Sequence, residues 1–496
     1  GIYNASKTTG MTAVDVISQA GNTDHIVLSG VKAELATINV LRQASGAGNN
    51  NFGNVTVNYA SGAKADATIN IGGAAAHTIE NLAVSNAAKV TVQSSGKNAT
   101  INGTQIFADA TELVYIAKDG TVTGSGAITA DKVETLTVTA DGKAVEINNS
   151  SNSFDALKTL NVTATGAKAS VYAAVTPTPV ADIAISEVNV KGTDATSQLE
   201  VSVWGWPGSS NSTTFSAVNF EVNGTSGTQM LLIGSNSNSA TIAALNVKAA
   251  QNATAEVVLW ENGSGSGFAI QGGIFEGKGN ITIEGDGTNT NAIDLRNIDR
   301  STLDSASTLT IKLGNNGDVY GTNGRDTIDV ATGTNNNITV HFADSLASNG
   351  VDTITGFTAG ASNDELDFNG FLGGNETVGS SYSADASSAD LNLTNDVGEN
   401  VGLLFNVAGG TLTATKIVTA NTSANGEVIM ADNAKAVILV TSQAASSVDS
   451  ANIYYVYDAD SSTSAQNWQV ELVGTVTFAN SGGADLSSDT KFGQLF

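Results

Sequence analysis

The glycine and aspartate residues between Gly321 and Asp329 are spaced as they are in a turn. Gly321, Gly324, Asp326 and Ile328 occupy the first, fourth, sixth and eighth places of the nonapeptide that forms calcium-binding β-roll turns. In such a turn the glycines let the backbone bend with its carbonyls facing inward, the aspartate supplies a carboxylate, and the apolar residue fills the interior. The spacing therefore predicts a calcium-binding turn, although Thr322 replaces the second glycine.

The segment just before this turn follows the same pattern less well. Gly314–Tyr320 keeps two glycines but has Val319 where the aspartate belongs. We therefore expect one well-formed turn and one degenerate turn rather than a long roll.

Further acidic residues extend the predicted calcium site through residues 318–367. Like charges at this density repel one another unless a cation is present, and calcium accepts mixed carboxylate and carbonyl oxygens, whereas zinc requires His or Cys ligands. The alternative is a solvated acidic β surface. The candidate metal ligands are Gly321, Asn323, Asp326, Asp329, Asp318, Asp344, Asp352, Asp364 and Asp367.

The composition is that of a secreted surface protein. The 496 residues include 21 Lys and Arg, 47 Asp and Glu, and no Cys, so disulfides cannot stabilise the chain and bound ions or a long sheet must do so. The acidic charge argues against nucleic acids and anionic lipids as direct partners. No apolar run is long enough to form a transmembrane helix, which needs about 18 residues or more.

The elements that must position these residues are β-strands. A phrase with an apolar residue followed by an apolar-polar-apolar strand recurs at irregular intervals, and a Gly- or Asn-rich turn and a second strand usually follow it. This pattern predicts an all-β fold: an irregular β-solenoid or stacked β-strands, then a short calcium-binding β-roll-like segment, then a C-terminal antiparallel β unit. Outer-face Asn side chains are expected to form ladders, and Ala33–Arg42 is the best helix candidate. The phrase occurs at residues 79–84, 133–138, 157–162, 185–190, 218–222 and 242–247.

Composition shifts suggest four parts: repeats in 1–176, a second repeat subdomain in 177–304, a calcium-binding segment in 305–370 and a C-terminal domain in 371–496. Pro177 and Pro179 mark the first boundary. Trp204 and Trp206 alternate with Gly205, so both rings should lie on one side of a strand. Carbohydrate stacking, a subunit contact or local core packing would each explain that pair.

The block from Asp352 to Phe368 resembles the signature near the end of calcium-binding repeat-in-toxin (RTX) exoproteins. The Thr-, Ala- and Asn-rich repeats, the missing cysteine and the acidic charge resemble type I secreted surface-layer (S-layer) proteins of Gram-negative bacteria. The ending Asp485–Phe496 is similar to the uncleaved secretion signal of such substrates, the alternative being an ordinary final strand. The resemblance implies secretion to the cell surface and calcium-driven assembly of the chain with itself into a two-dimensional lattice. It also implies attachment to lipopolysaccharide or a surface glycan, although no such anchor is recognisable. Gly1 indicates either a processed start or a piece of a longer polypeptide.

An enzyme is the main rival from another class. His25, His77 and His341 are isolated, so a zinc protease motif is excluded, and the few basic residues are too scattered for a lyase. Paired carboxylates of a glycoside hydrolase stay open as an alternative. A calcium-stiffened adhesin or biofilm matrix protein would share nearly every feature. We expect a non-enzymatic structural protein that assembles with itself in the presence of calcium.

Overall fold

The computed structural model describes residues 2–6, 9–18, 25–42, 52–208, 210–237, 239–261, 268–287, 292–313, 316–330, 337–374, 378–383, 391–393, 400–419, 428–431, 433–458, 468–480 and 482–496. By their contacts these residues form two units. Unit 1 comprises residues 1–265 and 273–281, and unit 2 comprises residues 266–272 and 282–496. The predicted four-part division is finer than this.

Strands account for 57% of the chain and helices for 5%, which confirms the predicted all-β class. The strands form a parallel β-solenoid of about 12 turns, with antiparallel strands at the C-terminus. Among the described residues, no helix is both long and apolar enough to cross a membrane.

Unit 1 consists of two parallel sheets to which successive coils add strands in turn. Sheet 1 contains β1 (Ile2–Asn4), β3 (Ile26–Val31), β5 (Phe52–Tyr59), β7 (His77–Ser85), β9 (Ala99–Ile101), β10 (Gln105–Phe107), β12 (Val122–Gly124), β13 (Ile128–Thr129), β15 (Val145–Ile147), β17 (Lys168–Val175), β19 (Gln198–Gly205), β21 (Gln229–Ser235) and β24 (Thr254–Glu261). Sheet 2 contains β2 (Ala13–Ser18), β4 (Thr37–Arg42), β6 (Ala65–Gly73), β8 (Ala87–Ser95), β11 (Glu112–Ala117), β14 (Thr135–Asp141), β16 (Thr159–Thr165), β18 (Ile183–Gly192), β20 (Ser212–Val222), β22 (Ser239–Ile242), β23 (Leu245–Ala249) and β26 (Gly273–Gly277).

The repeated sequence phrase is the unit that stacks. In sheet 2 its apolar residues align coil upon coil and are fully buried, because each covers the interior edge of the coil before it. The polar residue between them points outward and forms the predicted ladder. The buried row contains Leu136, Leu160, Val188, Val218 and Leu245. The outward row contains Asn161, Asn189, Asn219 and Asn246, whose amides are joined at 2.9, 2.7 and 2.8 Å in that order.

The predicted helix at Ala33–Arg42 is wrong. Thr37–Arg42 is strand β4, which pairs with β2 on one side and β6 on the other. Ile38 and Val40 alternate with outward residues and are fully buried, so the period is two rather than 3.6. Coil-to-coil pairing therefore overrides the local helical pattern.

Unit 2 contains parallel coils followed by antiparallel strands. Its strands are β25 (Phe268–Ile270), β28 (Ile293–Asp294), β29 (Ile298–Asp299), β30 (Leu309–Leu313), β31 (Gly317–Tyr320), β32 (Asp326–Asp329), β33 (Ile338–His341), β34 (Asp352–Phe357), β35 (Glu365–Asp367), β36 (Val378–Ser383), β37 (Leu391–Asn392), β38 (Val401–Phe405), β39 (Ile417–Thr419), β40 (Val428–Met430), β41 (Lys435–Val440), β42 (Ser450–Asp458) and β43 (Trp468–Phe478), while β27 (Asn280–Gly287) crosses the division between the units. Its short helices are α1 (Leu346–Asn349), α2 (Asn369–Leu372) and α3 (Asp489–Phe492), with 3-10 turns at Ala408–Gly410, Ala414–Lys416 and Gly493–Leu495.

Two parallel rows carry the acidic segment of unit 2. Strands β30, β32 and β34 form one row, and β28, β31, β33 and β35 form the other. The C-terminal strands β41, β42 and β43 are antiparallel, as predicted, and β43 then pairs in parallel with β34. The ring of Phe371 stacks on that of Tyr455 in β42, with ring centroids 3.9 Å apart.

The last residues do not form the final strand considered as an alternative. Asp489–Phe492 is helix α3, and the side chains of Phe492 and Leu495 are fully buried. The secretion-signal interpretation of this ending stays a prediction.

Candidate functional site: the acidic turns of unit 2

The Asp326 turn, residues 321–326, connects β31 to β32 and buries its carboxylate completely. The backbone N–H of Thr322 donates to Oδ2 of Asp326 at 2.6 Å, and the Thr322 hydroxyl lies 3.0 Å from both carboxylate oxygens. Arg300, only 11% exposed, donates from Nη1 to Oδ1 at 2.5 Å. Ile328 fills the interior as the sequence pattern predicts. The turn is thus closed around a buried aspartate–arginine pair.

Asp352 supports this turn from the next coil. Its Oδ1 accepts the backbone N–H of Asp326 at 3.0 Å, and its Oδ2 accepts from the amide of Asn349 at 3.2 Å. Asn349, at the end of α1, also donates to the carbonyl of Val473 at 3.3 Å. Asp352 therefore connects the turn with α1, and through Asn349 with β43.

The side-chain carboxyls of Asp326 and Asp352 both have pKa values above the ordinary range of aspartate. Burial raises the pKa of Asp326 to about 6, although bonds from Thr322 and the charge of Arg300 act in the opposite direction. Burial also raises the pKa of Asp352, and the neighbouring charge of Asp326 raises it further. The pair consequently resists carrying two negative charges at once.

Asp364 is a third buried aspartate that accepts hydrogen bonds from backbone N–H groups. It is fully buried before β35, and its oxygens accept the backbone N–H groups of Thr358 at 2.7 Å and Ile338 at 3.2 Å. Burial raises its pKa to about 6. Asp364 thus satisfies backbone donors of a loop and of the neighbouring strand β33.

A second polar cluster, the His341 row, lies along strands β28, β31, β33 and β35. His341 Nδ1 lies 2.5 Å from Asp367, and its Nε2 lies 2.8 Å from Asp318. Only the doubly protonated imidazole can donate to both carboxylates. The His341 ring stacks on Tyr320 with centroids 4.0 Å apart.

Arg296 extends the His341 row to the preceding strand. Its guanidinium lies 4.0 Å from the ring centroid of Tyr320 and donates to both oxygens of Asp294, at 2.9 and 2.6 Å. Burial of Asp294 opposes this bidentate bond, yet the net effect is that Arg296 lowers the pKa of Asp294. In the row, Arg296 binds Asp294, and His341 lies between Asp318 and Asp367.

A cleft of about 630 Å³ opens beside both clusters in unit 2. Arg296, Tyr320, His341 and Asp367 line it, together with residues of the Asp326 turn and of α1. The predicted ligands Gly321, Asn323 and Asp344 also lie on its wall. Asn323 and Asp344 are exposed, whereas Asp329 lies on β32 in register with Lys312 of β30.

The geometry around Asp326 does not fit a calcium ion without rearrangement. Calcium takes six to eight oxygen ligands, whereas the oxygens of Asp326, Asp352 and Asp364 already accept hydrogen bonds from N–H or hydroxyl donors. In the described part of the chain no three acidic or histidine side chains are grouped as a metal site would require. Of the nine candidate residues, the structure brings together Gly321, Asp326 and Asp352 in one place and Asp318 with Asp367 in another. Calcium binding stays a prediction.

Sequence reasoning missed Arg300, Asn349 and the His341 row. Arg300 and Asp326 are 26 residues apart, as are His341 and Asp367. His341 and Asp367 lie on the neighbouring strands β33 and β35, whereas Arg300 directly follows β29. A search for charged residues separated by one coil would have found both pairs. The isolated histidine offered no motif by itself.

Comparisons with known proteins add no family. No protein-family model, no curated protein and no solved structure matches this chain.

Proposed function

We propose that this chain is a structural protein that associates with copies of itself on a bacterial cell surface. The observation that carries the proposal is the exposure of large apolar side chains within residues 3–17. Apolar surface left in water costs about 25 cal/mol per Å², so covering it by association is favourable.

Tyr3, Met11 and Ile17 are 66%, 41% and 46% exposed, and they make up half of the large apolar side chains that are exposed in the described residues. A second copy is a suitable partner, because it presents the same apolar side chains and the same repeated coils.

The proposal is structural rather than enzymatic, and it includes the predicted dependence on calcium. What supports the calcium part is the glycine and aspartate spacing of residues 321–329, and the concentration of charge: residues 300–496 hold 22 acidic and 6 basic side chains. Three further parts of the proposal rest on the resemblance alone. They are secretion to the surface, assembly into a two-dimensional lattice, and attachment through lipopolysaccharide or another glycan.

The test compares two lysine substitutions in the full chain. Ile17→Lys places a charge among the exposed apolar side chains of residues 3–17, and Ile106→Lys places the same charge at a site of similar exposure (43%) elsewhere in the solenoid. We expect the unchanged chain and Ile106→Lys to form large particles in light scattering, and Ile17→Lys to stay monomeric. Equal association of both variants, or a monomeric unchanged chain, would remove the basis of the proposal.

A further inference from the structure

Three of the four tryptophans of the chain lie together on the outer face of sheet 1, within unit 1. We call Tyr172, Trp204, Trp206 and Trp260 the aromatic platform. The ring centroids of Trp204 and Trp206 are 5.5 Å apart with planes at 22°, which confirms that both rings lie on one side of the chain. Tyr172 lies 6.5 Å from Trp204 at 28°, and Trp260 lies 6.2 Å from it at 55°.

The platform lies outside the solenoid core. The buried neighbours Val203 and Gly205 alternate with Trp204 along the chain, so the indole points away from the interior. All four aromatic side chains are half-buried. In the earlier coils the residues in register with Trp204 are small, namely Ala174, Ser153 and Thr129, so coil stacking does not require tryptophan there.

A glycine makes room for the central ring. Trp204 pairs in register with Gly234, which in turn pairs with Trp260. A Cβ at Gly234 would lie only 2.3 Å from the Trp204 ring, so the indole lies flat over the backbone of the next coil. The position of the Trp204 ring is therefore set by the neighbouring coil before any ligand arrives.

Two acidic side chains flank the platform on the same sheet face. Glu200 and Glu256 both pair with Met230, so they lie about 10 Å apart, two strand spacings. Their row is four residues from that of Trp204, about 13 Å along the strand. Lys168 binds Glu200 at 2.6 Å. Carboxylates accept hydroxyl donors and repel anions, and the chain as a whole carries a net charge of −26.

We propose that the aromatic platform binds the pyranose rings of a neutral polysaccharide. A pyranose presents a flat face of C–H groups that stacks on an aromatic ring, while its hydroxyls reach polar side chains at the edge. The rings of Trp206 and Tyr172 have planes near-parallel to that of Trp204 and centroids 5.5 and 6.5 Å from it, so several aromatic surfaces lie within the span of a short oligosaccharide. The net negative charge of the chain disfavours uronic acids and sulfated sugars.

The chain contains its own reporter for this site. Trp468 is the one tryptophan outside the platform, and it is buried at 7% exposure in unit 2. Titration of cellohexaose and maltohexaose, with polygalacturonate as the anionic probe, is followed by tryptophan emission and by protection from acrylamide quenching. The Ile17→Lys background separates sugar binding from self-association.

We expect at least one neutral hexasaccharide to shift the emission and reduce quenching, and polygalacturonate to do neither. Trp206→Ala removes one stacking surface and should weaken the Kd about tenfold, equivalent to about 1.4 kcal/mol. Gly234→Ala retains every aromatic residue but displaces Trp204, so it should weaken binding to a similar extent. Trp468→Phe is the matched control and should leave the Kd unchanged.

Three results would overturn the proposal. They are an absence of response to both neutral sugars, unchanged binding in Trp206→Ala, and a preference for polygalacturonate. If Trp206→Ala instead abolishes association of the otherwise unchanged chain and no sugar binds, the platform is a subunit contact and the glycan proposal fails, while the proposed structural function stands.

Discussion

Units 1 and 2 are built from similar parallel coils but differ in their ion pairs. In the described residues of unit 1 the ion pairs are exposed, such as Lys158 with Glu134, whose side chains are 56% and 51% exposed, and the amide ladder from Asn161 to Asn246 also lies outside. Unit 2 buries the pair of Arg300 with Asp326, and it buries Asp352 and Asp364 as well. Coil stacking thus tolerates exposed and buried ion pairs, but the buried pair makes the stability of unit 2 depend strongly on charge.

The largest expected effect comes from removing the buried cation. Arg300→Ala leaves Asp326 buried without its partner, which should cost unit 2 about 3–5 kcal/mol in the free energy of unfolding. Chemical denaturation monitored by Trp468, in unit 2, measures this loss. Lys158→Ala is the control in unit 1, since it breaks an exposed pair.

Repeating the same denaturation experiment with calcium tests whether the Asp326 turn binds this ion. If the Asp326 turn accepts calcium, millimolar calcium should restore much of the stability lost in Arg300→Ala and leave Lys158→Ala unchanged. An Arg300→Ala loss no larger than that of Lys158→Ala would show that the buried pair is not what holds the turn.

Changing the pH should affect the two units in opposite directions. Because the folded pKa values of Asp326 and Asp364 are raised to about 6, their stabilising effect is complete below about pH 4 and is lost as the pH rises through 6. For each of these carboxyls, the rise of about two in pKa corresponds to about 2–3 kcal/mol in the free energy of unfolding. In unit 1, Lys132 and the backbone of Asn86 lower the pKa of Asp109, so its contribution is lost only as the pH falls below its ordinary range.

Hydrogen–deuterium exchange, corrected for intrinsic rates, resolves the two units. Between pH 4.5 and 7 we expect opening in β32 and β34 to become easier and opening in β7 to become harder, because burial lowers the pKa of His77 to about 4. Protection in unit 2 that increases with pH over this range would contradict the assignment of raised pKa values.

A smaller effect is expected from the amide ladder. Asn219→Ala removes the bonds to Asn189 and Asn246, and at about 0.5–1.5 kcal/mol per hydrogen bond the loss should be about 1–3 kcal/mol. Thr139→Ala truncates an outward side chain of the same sheet that pairs with Thr163 rather than with the asparagine row, and it is the matched control. Thermal unfolding at two pH values should give the same difference, because the amide does not titrate.

The smallest effect belongs to the exposed ion pairs. Lys158→Ala should change the free energy of unfolding by less than about 1 kcal/mol, since both partners are largely in water. The difference should decrease in 1 M salt, where charges are screened within about 3 Å. A salt-independent loss of several kcal/mol would mean that this pair acts like the buried one in unit 2.

The recurring phrase was sufficient to predict the coils, because alternation within Leu160–Val162 is a local property of a strand. Ile328 was likewise placed correctly inside its turn. The Arg300 contact could not be derived, since it depends on which coil stacks on which and on how long each loop is. Ala33–Arg42 failed for the same reason: its short pattern suits a helix, and only neighbouring coils make it a strand.

The most direct test of the proposed function is light scattering with negative-stain electron microscopy on the unchanged chain, in excess chelator and then in millimolar calcium. The account predicts monomers or small particles in chelator and ordered sheets or tubes in calcium. A chain that stays monomeric in both conditions would contradict it.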